Sequence, residues 1–470
     1  MFEPVTLPLW ALLLIGILAA WAFLYRLLVP GVRWYFRRKA NRVIEELNKR
    51  LDLELPPLKL AQRRVLIDRL VYDPKVIEAV DAWCEENNAL RDVGIDKARR
   101  YAREIVPNFN AYLYFRFGNW LSRRLVRWLY RMRMGHADEK AFASLDPKSS
   151  VVFVMNHRSN MDYILVAYLA IDRVALSYAV GEWARVWPLQ QLIRSMGAYF
   201  VRRGGSNELY RRVLERYVAL AVEGGIAQAV FPEGGLSRDG QLRPPKLGLL
   251  DYMVRDFDPG GERDILFVPV GINYDRVLED RTLLHDRESG ERRSGSAALR
   301  TAFGFIGTQL KLMMKRRWYR YGYACANFGE PVSLREFLAQ RDLEPRELER
   351  EARFELVQEL ADDLMQRIGN IIPALPVSIA CTVLLETEQP LTHDELRQRM
   401  QAMMERIENA GGHVYIPRKD RDYAVDVGLR MLQLRKLVDE QDGKVSMRAD
   451  EKPLFDYYAA ALDHVPRETA

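Results

Sequence analysis

Hydrophobic and polar positions fall into four textures along the 470 residues. The first is a single apolar run. Residues 7–29 read LPLWALLLIGILAAWAFLYRLLV, with Arg26 near the end as the one charge. At helical rise this run crosses a hydrocarbon core of about 30 Å, so it predicts a transmembrane helix. A cleaved secretory signal would open on a basic leader. This chain opens on MFEPVT and places Arg33, Arg37, Arg38, Lys39 and Arg42 after the run. Those cations are expected to stay on the cytoplasmic side, with the short N-terminus outside. Trp10, Trp21, Trp34 and Tyr35 suit the interfacial levels.

The second texture is charged and helical, from about residue 35 to 100, with a break at Pro56–Pro57. Residues 108–134 continue it in a special form. Leu121, Leu125, Trp128 and Met132 recur at near-helical spacing, with Arg123, Arg124, Arg127 and Arg131 among them. A basic amphipathic helix with aromatic edges suits a membrane interface. A core helix whose arginines snorkel or pair gives the same pattern, and both readings stand at this level.

The third texture begins at Ser150. VVFVMN is a short β-rich run that ends in a polar turn, and MDYILVAYLA reads as a helix. IAQAVF is a second strand, stopping at Pro232 and a Gly-Gly turn. DILFVPVGINY is a third, in which Pro269 predicts an edge or irregular strand. ACANFGEPVSL is a fourth, followed by a turn at Gly329–Glu330–Pro331, and residues 285–296 read as a polar loop. Strands separated by helical stretches predict an α/β sheet. The fourth texture, beyond Glu344, is helical. Leu360, Leu364 and Ile368 share a face, and Gly369, Asn370 and Pro373 close the helix. The expected divisions are an anchor (1–30), a juxtamembrane helical region (31–100), an α/β domain (101–345) and a C-terminal helical region (346–470).

Composition adds little to this. The net charge of +6 suits a partner of anions such as phosphates or an acidic lipid surface. Three cysteines form no CxxC pair, which fits a reducing compartment. Six scattered histidines show no metal-ligand spacing, so no metal is expected.

Four blocks carry the candidate chemistry. In NHRSNMD, His157 precedes Asp162 by five residues, about 140° apart on a regular helix. The pair works only if His157 sits in the strand–helix turn and Asp162 folds back to it. The aspartate then holds one imidazole nitrogen and leaves the other to take a proton from a hydroxyl. In GAYFVRRGG, Arg202 and Arg203 end a strand-like run beside flexible glycines, where they either receive a phosphate or sit solvated. In FPEGGLSRDGQLRPPK, the turn Glu233–Gly234–Gly235 offers amides to an anion, with Ser237, Arg238 and Lys246 nearby. Glu233 itself suits substrate hydroxyls or an arginine. FVPVGINYD shows no obvious reactive group.

In this order and spacing the four blocks resemble the glycerolipid acyltransferase family, whose pattern is NHxSxxD, an apolar segment ending in arginine, FPEG with Ser and Arg, and a V-P strand. GAYFVRR and SRDGQLRPPKLGLL are more similar to the glycerol-3-phosphate branch and its dihydroxyacetone-phosphate relatives. Asn160 stands where that branch often has a second histidine, and Leu236 where it often has arginine. The resemblance implies an α/β acyltransferase domain, a mixed sheet flanked by helices, at a membrane surface. His157 would be general base and Asp162 its orienter. Glu233, Gly234, Gly235, Ser237, Arg238, Lys246, Arg202 and Arg203 would bind the phosphate-bearing acceptor, and Pro269 would shape the acyl-donor side. No cofactor is implied, with acyl-CoA or acyl carrier protein as co-substrate. The implied partners are membrane lipids and a small phosphate-bearing alcohol, with no nucleic acid, and the implied place is a bacterial inner membrane with the catalytic domain cytoplasmic. Acylation of lysophosphatidate, another lysophospholipid or dihydroxyacetone phosphate remains an alternative, as does a non-catalytic lipid-binding scaffold.

Overall fold

The fold comes from a computed structural model of the chain. It describes residues 63–464 except 112, 138–145, 147, 171–175, 182–188, 203–206, 290–320 and 388, together with positions 8, 9 and 16. The expected anchor at residues 7–29 lies, but for those three positions, outside the described residues, as does the break at Pro56–Pro57. Among the described residues no helix is long and apolar enough to cross a membrane. Residues 1–51 and 52–470 are separate units, and everything below lies in the second.

Three helices lead in: α1 (Arg63–Val71), α2 (Pro74–Glu86) and α3 (Arg91–Ile105). Asp73 caps α2 by accepting from the Lys75 amide, with Pro74 at the first turn, where its missing N–H costs nothing. A π-helical turn (Leu113–Gly118) then runs into α4 (Asn119–Leu129). The helix expected to reach Met134 stops at Leu129. Tyr130 is extended, and β1 (Arg131–Ala137) pairs in parallel with a later strand, so tertiary pairing overrides the helical spacing. Leu125, Trp128 and Met132 of the expected apolar stripe pack against the core.

The central unit continues with β2 (Ser150–Met155), α5 (Asp162–Ala170), β3 (Ser177–Val180), α6 (Leu189–Ser195), β4 (Tyr199–Phe200), α7 (Glu208–Glu223), β5 (Gln228–Val230), α8 (Gly248–Val254), β6 (Ile265–Tyr274), α9 (Asp280–Ser289), β7 (Tyr323–Phe328), β8 (Val332–Ser333) and α10 (Leu334–Ala339). These strands form one mixed sheet of eight, ordered β1-β7-β6-β2-β5-β3-β4, with β8 beside β7 on β6. β2, β3, β4, β5 and β6 run parallel, and β7 and β8 are antiparallel to β6. Alternation sorts side chains to the two faces. Val151, Phe153 and Met155 enter one core, and Val152 and Val154 enter the other.

Pro269 does not mark an edge. β6 is central, paired to β2 on one side and to β7 and β8 on the other. The proline is tolerated because it falls in a gap. β8 pairs at Leu266 and Phe267, β7 begins at Val270, and Pro269 between them has no N–H to leave unpaired. Its carbonyl accepts the Gly329 amide at 2.9 Å.

The remainder is α11 (Arg350–Ile371), α12 (Pro376–Leu385), β9 (Leu391–Thr392), α13 (His393–Asn409), α14 (Arg421–Leu434), β10 (Val438–Gln441), β11 (Lys444–Met447) and α15 (Lys452–Ala459). α11 lies on β6. At their contact Gly271 has no room for a Cβ, which would stand 2.7 Å from the Ile371 carbonyl. α13 starts in a capping box of Thr392 and Glu395. The strands β10-β11-β9 make a small antiparallel sheet that the helical pattern did not foretell.

Candidate active site

β2 sits where the strand order reverses. β3, β4 and β5 lie to one side of it and β6 and β7 to the other. In open α/β sheets the crevice beyond the carboxyl ends of such strands is where ligands bind. The NHRSNMD block occupies that end. Asn156 stays with the sheet: its side chain accepts from the Ile272 amide at 2.7 Å and donates to the Ile272 carbonyl at 2.9 Å. His157 is thereby the first residue turned out of the strand.

Asp162 opens α5 and folds back over this turn. Its Oδ2 meets His157 Nδ1 at 3.0 Å and accepts from the amides of Arg158 at 2.8 Å and Ser159 at 3.0 Å. The five-residue spacing is therefore a loop wrapped round one carboxylate oxygen. With Nδ1 committed, Nε2 has no partner among the described residues and is the nitrogen free to accept a proton. The imidazole stacks on Phe231, centroids 4.0 Å apart, with the edge of Tyr163 at 5.4 Å.

Two further residues brace the loop from β6 and beyond. The Tyr274 hydroxyl donates to Asp162 Oδ1 at 2.6 Å. Glu279 accepts from the Ser159 hydroxyl at 2.8 Å and from the Asn160 amide side chain at 3.1 Å. Burial pushes the Glu279 carboxyl up to about 7, against the pull of those donors. Arg158 is buried and donates to the carbonyls of Gly240 at 2.9 Å and Tyr457 at 3.4 Å, which ties the loop to α15.

The FPEGG turn packs directly under His157. Glu233 accepts from the His157 amide at 2.8 Å and from the Arg243 amide at 3.2 Å, and Ser237 N donates to the His157 carbonyl at 2.9 Å. Burial raises the Glu233 carboxyl to about 7. Glu233 is thus a brace for the histidine backbone. Ser237 Oγ closes its own loop, donating to the Gln241 carbonyl and accepting from the Gly240 amide. Gly234 adopts φ +67°, the left-handed region, with the Lys246 stem against it. Lys246 is exposed and makes no ion pair among the described residues. Arg238 donates to the Asp286 carbonyl at 3.1 Å, so its charge also meets no described acid.

Arg202 differs. Its guanidinium grips Glu104 through two bonds of 2.8 and 2.6 Å, with Tyr101 and Tyr210 beside it. Arg203 lies outside the described residues. Pro269 sits within the sheet against Gly329. The structure therefore brings His157, Asp162, Glu233, Gly234, Gly235, Ser237, Arg238 and Lys246 into one neighbourhood. Sequence reasoning missed Tyr274, Glu279 and Arg158. Tyr274 shares the parity of Val270 and Ile272 along β6, which is the one signal that could have placed it on this face.

The chain is similar to known proteins along most of its length. Residues 137–273 match the acyltransferase family, and residues 306–464 match the glycerol-3-phosphate acyltransferase C-terminal region. A glycerol-3-phosphate acyltransferase of Aeromonas hydrophila is 28% identical over 438 residues, covering 91% of this chain and 53% of that protein. Proteins of the same name from Alteromonas mediterranea and Pseudomonas aeruginosa are each 30% identical, covering 72% and 75% of this chain and 42% of each relative. The chain spans about half the length, or less, of these curated relatives. Among solved structures, the 1-acyl-sn-glycerophosphate (LPA) acyltransferase of Thermotoga maritima aligns with TM-score 0.30 and 16% identity, covering 54% of this chain and 78% of that one.

Proposed function

The chain belongs to the glycerol-3-phosphate acyltransferase family, and on that premise we propose that it moves a fatty acyl group from a thioester to the sn-1 hydroxyl of glycerol-3-phosphate. The observation that carries this reading is the His157–Asp162 contact of 3.0 Å at the end of β2, with Nε2 left open. His157 Nε2 takes the hydroxyl proton as the oxygen attacks the thioester carbonyl. The C–S bond then breaks, and the imidazolium returns its proton to the departing thiolate. Asp162 holds the imidazole in the needed tautomer and stabilises its charged form. The substrate oxygen is the nucleophile, so no acyl-enzyme forms.

Arg238 and Lys246, which meet no acid among the described residues, and the amide of Gly235 receive the acceptor phosphate; the Gly234 amide is already given to the Phe231 carbonyl at 3.0 Å. Arg202, already neutralised by Glu104, takes no part in that binding. The donor is acyl-CoA or acyl carrier protein. The thioester carries its own activation, so no cofactor is assigned. The run at residues 7–29 anchors the chain in a bacterial inner membrane, with the catalytic unit cytoplasmic.

An acceptor panel tests the substrate. Full-length protein in phospholipid vesicles is given labelled acyl-CoA with glycerol-3-phosphate, dihydroxyacetone phosphate or lysophosphatidate. Lysophosphatidate made from glycerol-3-phosphate at the highest kcat/KM is expected. Turnover confined to lysophosphatidate would move the chain to the second acylation step.

A further inference from the structure

The outward face of the π-helical turn and α4 presents two aromatic rings and a band of cations that make no ion pair among the described residues. Phe117 and Trp120 are 41% and 58% exposed, with ring centroids 6.2 Å apart. Trp120, Arg124 and Arg127 fall within about 60° of one another at 100° per residue, and Arg116 lies one turn before Trp120. Arg116, Arg124 and Arg127 are exposed and make no ion pair among the described residues. No Asp or Glu occurs between Glu104 and Asp138. The opposite side of the helix is spoken for: Ser122, Val126 and Leu129 are buried, and Leu125 and Trp128 pack on the core. The exposed stripe is therefore distinct from the apolar stripe legible in the sequence.

We propose that this face, from Arg116 to Arg127, rests on an anionic phospholipid surface. Charge selects the partner, because three guanidiniums that make no ion pair among the described residues are complementary to phosphate-bearing headgroups. The aromatic pair separates lipid from an acidic protein. A purely electrostatic partner gains nothing from exposed Phe117 and Trp120, whereas the headgroup boundary takes amphipathic rings and the stems of arginines together. The placement suits the proposed reaction, on which this inference partly rests. α4 packs on α5, and α5 begins at Asp162. A chain-bearing donor or product would then meet the bilayer one helix away from His157.

Trp120 fluorescence reads the contact without reference to catalysis. Full-length protein and its Trp120→Phe variant are reconstituted in vesicles of phosphatidylcholine with phosphatidylglycerol, with and without brominated acyl chains. The difference between the two proteins isolates Trp120 from the other tryptophans. Its emission should fall at least twofold with brominated lipid. Arg124→Glu with Arg127→Glu should lower turnover in those vesicles roughly tenfold while leaving turnover in detergent micelles unchanged. Trp120 emission indifferent to bromination would overturn the proposal. So would equal loss in micelles, or a loss seen only with acyl carrier protein as donor, which would mark the face as a protein dock. If no turnover is found with any acceptor, the quenching result still decides the surface.

Discussion

Tyr274 donates its hydroxyl to Asp162 Oδ1 at 2.6 Å, while the other oxygen of the same carboxylate holds His157. One side chain therefore connects the V-P strand, which has no reactive group of its own, to the proposed base. Tyr274→Phe removes a hydrogen bond to a charged group with almost no change in shape. It should lower kcat by roughly tenfold and leave KM for glycerol-3-phosphate within about twofold. Steady-state kinetics on the purified variant check this. A raised KM with native kcat would mean that Tyr274 serves substrate binding instead.

The cations of the site divide by whether an acid already holds them. Lys246→Ala and Arg238→Ala should each raise KM for glycerol-3-phosphate by roughly tenfold or more, the range for a charge-assisted hydrogen bond. Arg202→Ala should leave KM near native and instead lower the melting temperature, because it removes a part-buried, doubly bonded ion pair with Glu104. An Arg202 variant with native stability and a large KM defect would reverse the assignment.

Stability should carry a mark of the buried carboxyls. Burial lifts Asp275 up to about 7, although it accepts from the amides of Tyr323 and Val377. A raised folded value means the folded chain keeps a proton that the unfolded chain has released. Its contribution is full below the ordinary carboxylate range and is lost as pH rises through about 7. Glu233 and Glu279 act in the same sense. His464, lowered by burial to about 4, acts oppositely, its cost fading as pH rises from about 4 to about 6.5. Asp275→Asn isolates one group. Its stability relative to the native protein should climb between about pH 5 and about pH 8, measured by denaturant melts at each pH. A constant difference across that range would show that Asp275 titrates as an ordinary carboxyl.

Gly240 is where the C-terminal region touches the catalytic loop. It has φ +85°, and a Cβ there would stand 2.0 Å from the Tyr457 carbonyl oxygen. Gly411 has a similar φ of +79° with open space around it. Gly411→Ala should therefore cost only backbone strain, about 1–2 kcal/mol. Gly240→Ala should cost clearly more and reduce activity as well, because Arg158 bonds both carbonyls at that contact. Equal losses in the two variants, by chemical denaturation, would remove the steric argument.

Much of the sheet was legible because its longer strands are apolar runs with polar stops. β2, β5, β6 and β7 each announce themselves so. β1 does not, because Arg131 and Met132 continue the spacing of α4 and only pairing with Tyr323 and Ala324 makes that segment a strand. β4 is two residues long, too short for any period to show. Pro269 misled for a local reason, since its missing donor matters only where a partner strand would accept it. Within the site, His157 and Asp162 were legible as a spacing that demanded a turn. Glu279 was not, because its bonds to Ser159 and Asn160 span about 120 residues of sequence and exist only once β6 lies beside β2. Arg202 was legible as a charge, but its neutralisation by Glu104 was not.

The central claim is that His157 removes the acceptor proton. Full-length protein and His157→Ala are compared in the same vesicles, with labelled glycerol-3-phosphate and acyl-CoA, by initial rate of lysophosphatidate formation at saturating substrate. Loss of a positioned general base should lower kcat by about 10²–10⁴-fold with the fold intact by circular dichroism. A folded His157→Ala protein that turns over within a few fold of native would contradict the mechanism.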